Sequence, residues 1–305
     1  MGPDLKSGIL ARIKSGQTLV SDGALGTALF ENGLKPGDCP ELMNLSHPDL
    51  IGDIARSYSE AGADIVQTNT FGASPLKLAE YGLKFRSDEI NTAAVINARA
   101  AVGPNIILAG SCGPSGKILE PYGDGKPQEI QKSFIKQLEA LIKAGVDVIC
   151  VETMVDQNEA MLAIQAVKII DSQIPVMATM TFDKTPRGFY TIMGVNIESS
   201  ARALIKVGAD IIGSNCGNGL DHMIEIARKF TEVTNLPVII QSNAGLPVIK
   251  AGNIFYNETP EYFAHRIENL IEAGVSIIGG CCGTTPEHIK VIRRAVNKYR
   301  DTNKN

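Results

Sequence analysis

The sequence predicts an α/β protein, a single (β/α)8 barrel of the TIM-barrel architecture with a leading helix at its N-terminus. Three observations predict it. A short pattern (small residue, Gly, Ala or Val, then Asp or Ser) recurs four times, each time just before an apolar run. A second set of four apolar runs alternates strictly with these. Segments with apolar residues spaced three and four apart fill the gaps.

Ala61-Gly62-Ala63-Asp64 leads into IVQTNT, and Ala144-Gly145-Val146-Asp147 into VICVET. Val207-Gly208-Ala209-Asp210 leads into IIGSNC, and Ala273-Gly274-Val275-Ser276 into IIGGCC. Each Gly suits a left-handed helix C-cap. Each following run is short and β-branched, as a strand covered on both faces is. The alternating set is TLVSDGA at 18–24, NIILAGSC at 105–112, PVMATMTF at 175–182 and PVIIQSN at 237–243. Pro is tolerated as the first residue of a strand. Eight strands result. The helical segments, from PDLIGDIARSYSEAG to TPEYFAHRIENLIEAG and TPEHIKVIRRAVNKY, carry core stripes, and several open on Ser, Thr or Asp as an N-cap. The alternative, a doubly wound open sheet, usually has fewer strands and a Gly-rich first turn.

ENGLKPGDCPELMNLSH and GPSGKILEPYGDGKPQ are expected to be long loops after the first and third strands. The amphipathic start, MGPDLKSGILARIKSG, is expected to lie across the barrel bottom. No linker is evident, so residues 1–305 read as one domain with its core at about 18–296.

Hydrophobic residues make up 44% and charged residues 20%, which allows a large core. A net charge of -4 gives no basic face, so neither nucleic acid nor an anionic membrane is an expected partner. No apolar run approaches the ~18 residues of a membrane span. A cytoplasmic location is expected. The six cysteines are Cys39, Cys112, Cys150, Cys216, Cys281 and Cys282. A chain of this size needs no disulfide staples, and a bond between neighbours would be strained. Metal binding or catalysis is the expectation.

In such barrels chemistry sits where strands end. Those ends carry Asp22-Gly23, Gln67-Thr68-Asn69, Ser111-Cys112, Glu152-Thr153, Asn215-Cys216, Asn243-Ala244 and Gly280-Cys281-Cys282-Gly283. Cys216, Cys281 and Cys282 thus converge on one mouth from the sixth and eighth strands. Three thiolates suit zinc, which takes sulfur at ~2.3 Å in tetrahedral geometry and keeps one position open in catalytic sites. Gly280 and Gly283 let the backbone bend so that neighbouring cysteines reach one ion. Asn243 is a candidate fourth ligand, displaced by substrate. The competing readings are small residues filling a tight barrel end, or a phosphate held at the Gly-Gly. Cys112 and Cys150 read as core residues and Cys39 as incidental. His47, His222, His265 and His288 read as surface residues, which argues against a histidine-based mechanism.

DGALGT, QTNTFGAS, the Glu152-Thr153 pair, SNCGNG, SNAGLP and GGCCGTTPEHI, taken in order, resemble the homocysteine S-methyltransferase family from about Thr18 to Val296. The last motif is most similar to the homocysteine-binding module of cobalamin-dependent methionine synthase. The resemblance implies a zinc site of Cys216, Cys281 and Cys282. It implies that Asp22 and Gly23 hold the amino-acid part of L-homocysteine, that Thr68 and Glu152 add contacts, and that Asn243 lies near the metal. The implied reaction carries a methyl group to the homocysteine thiol and gives methionine. A thiol of pKa ~8.5 is mostly protonated at neutral pH, and zinc removes its proton. Glu152 is expected to meet the α-ammonium, while Thr68 and backbone N–H groups near Gly23 receive the carboxylate.

The methyl donor expected is methylcobalamin on a separate corrinoid protein; an excised module of a longer chain is a related possibility. S-methylmethionine and betaine are the small-donor alternatives. Betaine calls for aromatic side chains around its ammonium. This chain has no Trp and 5% aromatics, and it places Gly72 and Thr153 where betaine enzymes tend to present tyrosines. The S-methylmethionine branch usually departs from Gly283. A zinc or homocysteine sensor without turnover is the alternative from another class.

Overall fold

The structure is a computed structural model that describes residues 5–250 and 253–302; the remaining positions of the expected 1–305 domain lie outside the described residues. Its eight central strands are β1 (Leu19–Val20), β2 (Ile65–Gln67), β3 (Ile107–Cys112), β4 (Val148–Met154), β5 (Val176–Met180), β6 (Ile211–Asn215), β7 (Val238–Ser242) and β8 (Ile277–Gly280). All are parallel, and each pairs with its sequence neighbours, with β8 returning to β1. A bridge between Ser21 and Ile65 joins β1 to β2 and closes the ring. That closure excludes the open doubly wound sheet.

The repeated Gly and Asp have separate jobs. Gly62, Gly145, Gly208 and Gly274 end helices at φ +102°, +102°, +98° and +83°, where a side chain would be strained. The Asp residues then lock strand to strand. Asp64, Asp147 and Asp210 accept a hydrogen bond on Oδ2 from the backbone N–H of Val20, Leu108 and Val176, each at 2.8–2.9 Å. Their own N–H groups return a bond to the carbonyls of the same three residues. A helix cation balances each carboxylate: Arg12 and Arg293 for Asp64, Arg99 for Asp147, Lys168 for Asp210. Ser276 keeps the backbone bond to Val238.

The barrel interior changes character along its axis. Its lower end is an apolar plug of Leu19, Ile65, Ile107, Val148, Met177, Ile211, Ile239 and Ile277. The leading helix, Leu5–Lys14, covers that end, inserting Ile9 with Leu10 and Ile13 beside it. Two residues further along the strands come Ser21, Gln67, Cys150, Thr179 and Gln241; at the upper end come Ser111, Glu152 and Asn215. Period-two alternation keeps each set pointing inward. Outside, helices such as Leu220–Val233 bury Leu220, Met223, Ile224, Ala227 and Phe230 at helical spacing. Each fully buried Leu, Met, Ile or Phe side chain of this kind contributes about 1.5–3 kcal/mol.

Three expectations need correction, and two hairpins add to the sequence reading. The segment after β1 is not a plain loop: it forms helices Leu25–Glu31 and Met43–Ser46 and a 3₁₀ turn at Pro40–Leu42. Glu41 and Asn44 tie it down through bonds to Gly72 N–H (2.6 Å) and Asn69 C=O (2.8 Å). The helix before β8 is split into Pro260–Ala264 and Ile267–Glu272, because Arg266 leaves helical geometry to bond Asp221. Antiparallel hairpins, Asp183–Thr185 with Gly188–Tyr190 and Val248–Lys250 with Asn253–Phe255, rise after β5 and β7. Finally, His288 is buried. Its Nδ1 accepts from Thr285 N–H, so Nε2 carries the proton and donates to Glu258 C=O at 2.9 Å. Of the other histidines, His47 and His265 are exposed and His222 is half-buried.

Candidate metal and substrate site

The three cysteines predicted to converge do meet, by two different backbone devices. Cys216 follows β6 with φ +59°, and Gly217 continues at +75°. Its N–H still bonds Gln241 C=O, so the turn is anchored to β7. At β8, a Cβ on Gly280 would sit 2.1 Å from Thr284 Oγ1. That glycine is there for space; Gly283, at φ +78°, supplies the bend. Thr284 fastens the turn by donating its hydroxyl to Cys281 C=O at 2.7 Å and accepting Ala24 N–H at 3.2 Å. Both neighbouring thiols then reach the same point.

The Sγ atoms of Cys216, Cys281 and Cys282 all lie within 4.8 Å of one another, and Cys216 to Cys282 is 3.8 Å. Sulfur ligands at 2.3 Å around a tetrahedral ion are separated by about 3.8 Å. The set therefore fits a thiophilic ion. Among the described residues it is the one such cluster of three or more ligating side chains. With no positive charge nearby, the S–H groups of Cys281 and Cys282 hold Cys216 well below the usual thiol range. The same contacts, with burial, push Cys281 and Cys282 upward. The triad by itself favours one negative charge; three thiolates need a cation among them.

A cavity of about 260 Å³ opens beside the sulfurs, lined by Asp22, Gly23, Thr68, Glu152 and the three cysteines, with Glu41, Gln67, Ser111 and Phe71. Among the described residues no Lys, Arg or His lines it, and Phe71 is its one aromatic. Burial raises Asp22 to about 7, against hydrogen bonds from Gln67 N–H (2.7 Å) and Ser21. Burial likewise raises Glu152 to about 7, although Ser111 donates to its Oε1 at 2.5 Å. Gly23 is squeezed between Thr284 and Tyr58, where a Cβ would come within 2.7 Å. The Thr68 hydroxyl shares a 2.7 Å bond with Thr70. Asn243 is buried just beyond the lining, and its Oδ1 has no hydrogen-bond partner. Cys112 and Cys150 are buried away from the triad, and Cys39 donates to Glu41.

Sequence reasoning passed over Asn215, which organises this end of the barrel. It is fully buried and accepts from Thr153 N–H and Thr179 Oγ1, each at 2.8 Å. Its Nδ2 donates to Thr153 Oγ1 (2.7 Å), Glu152 Oε2 (3.3 Å) and Cys281 Sγ (3.9 Å). These bonds hold Thr153 at φ +58°, a conformation a β-branched residue otherwise avoids. Ser111 was missed for the same reason: an inward polar residue on a strand advertises nothing about its partner.

The family model for homocysteine S-methyltransferase matches residues 19–296, nearly the whole barrel. The chain belongs to the homocysteine S-methyltransferase family. The methionine synthase of Mycobacterium tuberculosis (strain ATCC 25618 / H37Rv) is 33% identical over 304 residues, 94% of this chain and 25% of the relative. That of Mycobacterium leprae (strain TN) is 31% identical over 302 residues, again 25% of its length. The chain spans about a quarter of these relatives. The homocysteine methyltransferase MmuM from Escherichia coli, in its metallated form, superposes with a TM-score of 0.76 at 23% identity, covering 93% of this chain and 98% of that one. That likeness shows a shared fold.

Proposed function

We propose that this barrel, working as one unit, transfers a methyl group to the thiol of L-homocysteine to give methionine. The observation that carries the proposal is the juxtaposition of three ligand-spaced sulfurs with two buried carboxyl groups across a small cavity. Cys216, Cys281 and Cys282 would hold Zn2+, and the unpartnered Oδ1 of Asn243 is available as a fourth ligand before substrate enters. Zinc, when bound, supplies the charge that strips the proton from an incoming thiol.

The chain's own residues do the rest. Glu152, uncompensated in its buried site, pairs with the substrate ammonium, and Asp22 adds negative potential from β1. The substrate carboxylate has no cation to meet, so backbone N–H groups near Gly23 receive it, joined by the Thr68 hydroxyl once that turns its proton away from Thr70. The substrate sulfur then attacks the methyl carbon in line. A carbon–sulfur bond forms as the carbon–donor bond breaks, and its electron pair leaves on the donor.

Methylcobalamin on a corrinoid protein is the donor favoured. A cavity with one aromatic residue is poorly suited to a quaternary ammonium such as betaine. A cytoplasmic location belongs to the proposal, because three clustered cysteines must stay reduced to hold a metal; among the described residues no helix is long and apolar enough to cross a membrane. The test combines metal analysis with thiol loss from homocysteine in the presence of methylcobalamin, S-methylmethionine or betaine. Stoichiometric zinc and turnover with methylcobalamin are expected. Turnover with a small donor alone overturns the donor assignment. Homocysteine binding without any turnover identifies a sensor, and protein without zinc removes the mechanism.

A further inference from the structure

Glu152 sits near the end of β4 and the clustered sulfurs follow β6 and β8, yet one side chain touches both groups. Asn215 Nδ2 lies 3.3 Å from Glu152 Oε2 and 3.9 Å from Cys281 Sγ. That nitrogen carries two protons, and its shortest bond, 2.7 Å, directs one at Thr153 Oγ1. The other points between the carboxylate and the sulfur. These two groups therefore lie no farther apart than the two contacts laid end to end. The amide cannot turn over. Its Oδ1 accepts from Thr153 N–H and Thr179 Oγ1 at 2.8 Å, and a reversed amide would set N–H against the Thr153 N–H. Thr179 lies on β5, between the two strands that the amide joins. Asn215 itself does not line the cavity, so it acts there through its neighbours.

A thiol amino acid bound between these anchors needs a set reach. Its ammonium meets Glu152 while its sulfur joins the cysteine sulfurs, and cysteine is one methylene shorter than homocysteine. A pocket rejects the shorter chain only if its two ends cannot close up on it. Here the Asn215 amide fills the space between Glu152 and Cys281, and closing that space means breaking buried hydrogen bonds. We propose that Asn215 is a positioning residue that fixes the span between Glu152 and the sulfur cluster, and so selects homocysteine over cysteine. The inference rests on the substrate reading proposed above and assigns its chain-length selectivity to a side chain outside the cavity wall.

The test reads binding, with no methyl donor present. Zinc-loaded protein of measured metal content is titrated in a calorimeter with L-homocysteine and, separately, with L-cysteine. The parent should prefer homocysteine by about 10–200-fold, the range for one methylene. In Asn215→Ala that preference should fall by roughly tenfold, because the anchors can now approach each other. Comparing variant with parent cancels the different acidities of the two free thiols. Thr179→Val loosens the amide without removing it. The swap is close in shape and strands no donor, since Asn215 Oδ1 keeps Thr153 N–H. It should lower the preference in the same direction, and Thr179→Ser, which keeps the hydroxyl, should restore it; this pair keeps the test decisive if Asn215→Ala fails to fold. A merely structural role would weaken both thiols alike. An unchanged ratio in the variants, or a parent that binds both thiols equally, overturns the inference and leaves homocysteine binding intact. A parent that holds zinc and binds neither thiol removes the substrate reading and this inference together.

Discussion

Glu152→Gln separates the cost of burying a carboxylate from the benefit of having one. Glu152 titrates at about 7 in the folded chain against an ordinary value of 4.5, and the largest cause is burial. The folded state therefore holds this proton more tightly than the unfolded chain. Stability from that preference is fully present below pH 4.5, declines as pH rises, and is lost above about 7. A shift of roughly 2.5 units at 1.36 kcal/mol each is worth about 3 kcal/mol. Gln does not titrate, so the variant should gain on the parent as pH rises. It should also lose something, because its amide faces Asn215 Nδ2, now 3.3 Å from Glu152 Oε2. Allowing about 1 kcal/mol for that contact, the variant should exceed the parent by about 2 kcal/mol at pH 8. Urea unfolding of substrate-free protein from pH 4.5 to 8, at fixed metal content, measures the difference; the charge of Asp22 adds to the Glu152 shift, so relief of that repulsion is part of what the variant gains. Homocysteine KM should rise roughly 30-fold or more as the buried ammonium loses its partner. A stability difference that does not change with pH, or an unchanged KM, would refute the reasoning.

Cys216→Ser should lower zinc affinity by at least about 100-fold, more than loss of a group behind a ligand typically costs; competition with a chelator reads it, and retained tight binding contradicts the three-sulfur site. Asn215→Ala should cost about 2–4 kcal/mol in urea unfolding, since it strands Thr153 N–H and Thr179 Oγ1 inside the barrel. A loss under 1 kcal/mol would show that water takes over its bonds. Asp147→Ala should cost about 1–3 kcal/mol, because Leu108 N–H loses its side-chain acceptor. Homocysteine KM should stay at the parent value, as Asp147 sits at the barrel end opposite the cysteines.

Much of this protein is legible in its sequence. Short-range chemistry wrote the Gly of each helix end, the apolar strands and the polar residues at the strand ends, and eight alternating units leave few ways to arrange themselves. The pairing of Cys216 with Cys281 and Cys282 followed from barrel geometry, because the ends of the sixth and eighth strands open on one mouth. The Asp of the repeated pattern was visible as a repeat. Its use as a lock on the preceding strand was not, because its partners lie 34 to 44 residues away. His288 looked like a helix-surface residue until Thr285 and Glu258 were found on either side of its ring.

By itself the sequence determined the barrel and the residue types at its mouth, because periodicity and turn preference are local properties. Only the tertiary structure decided which of those residues act together. Burial set Asp22 and Glu152 near neutrality, and Asn215 twisted Thr153 into place. Desolvation and hydrogen bonding depend on what packs against a group from distant parts of the chain.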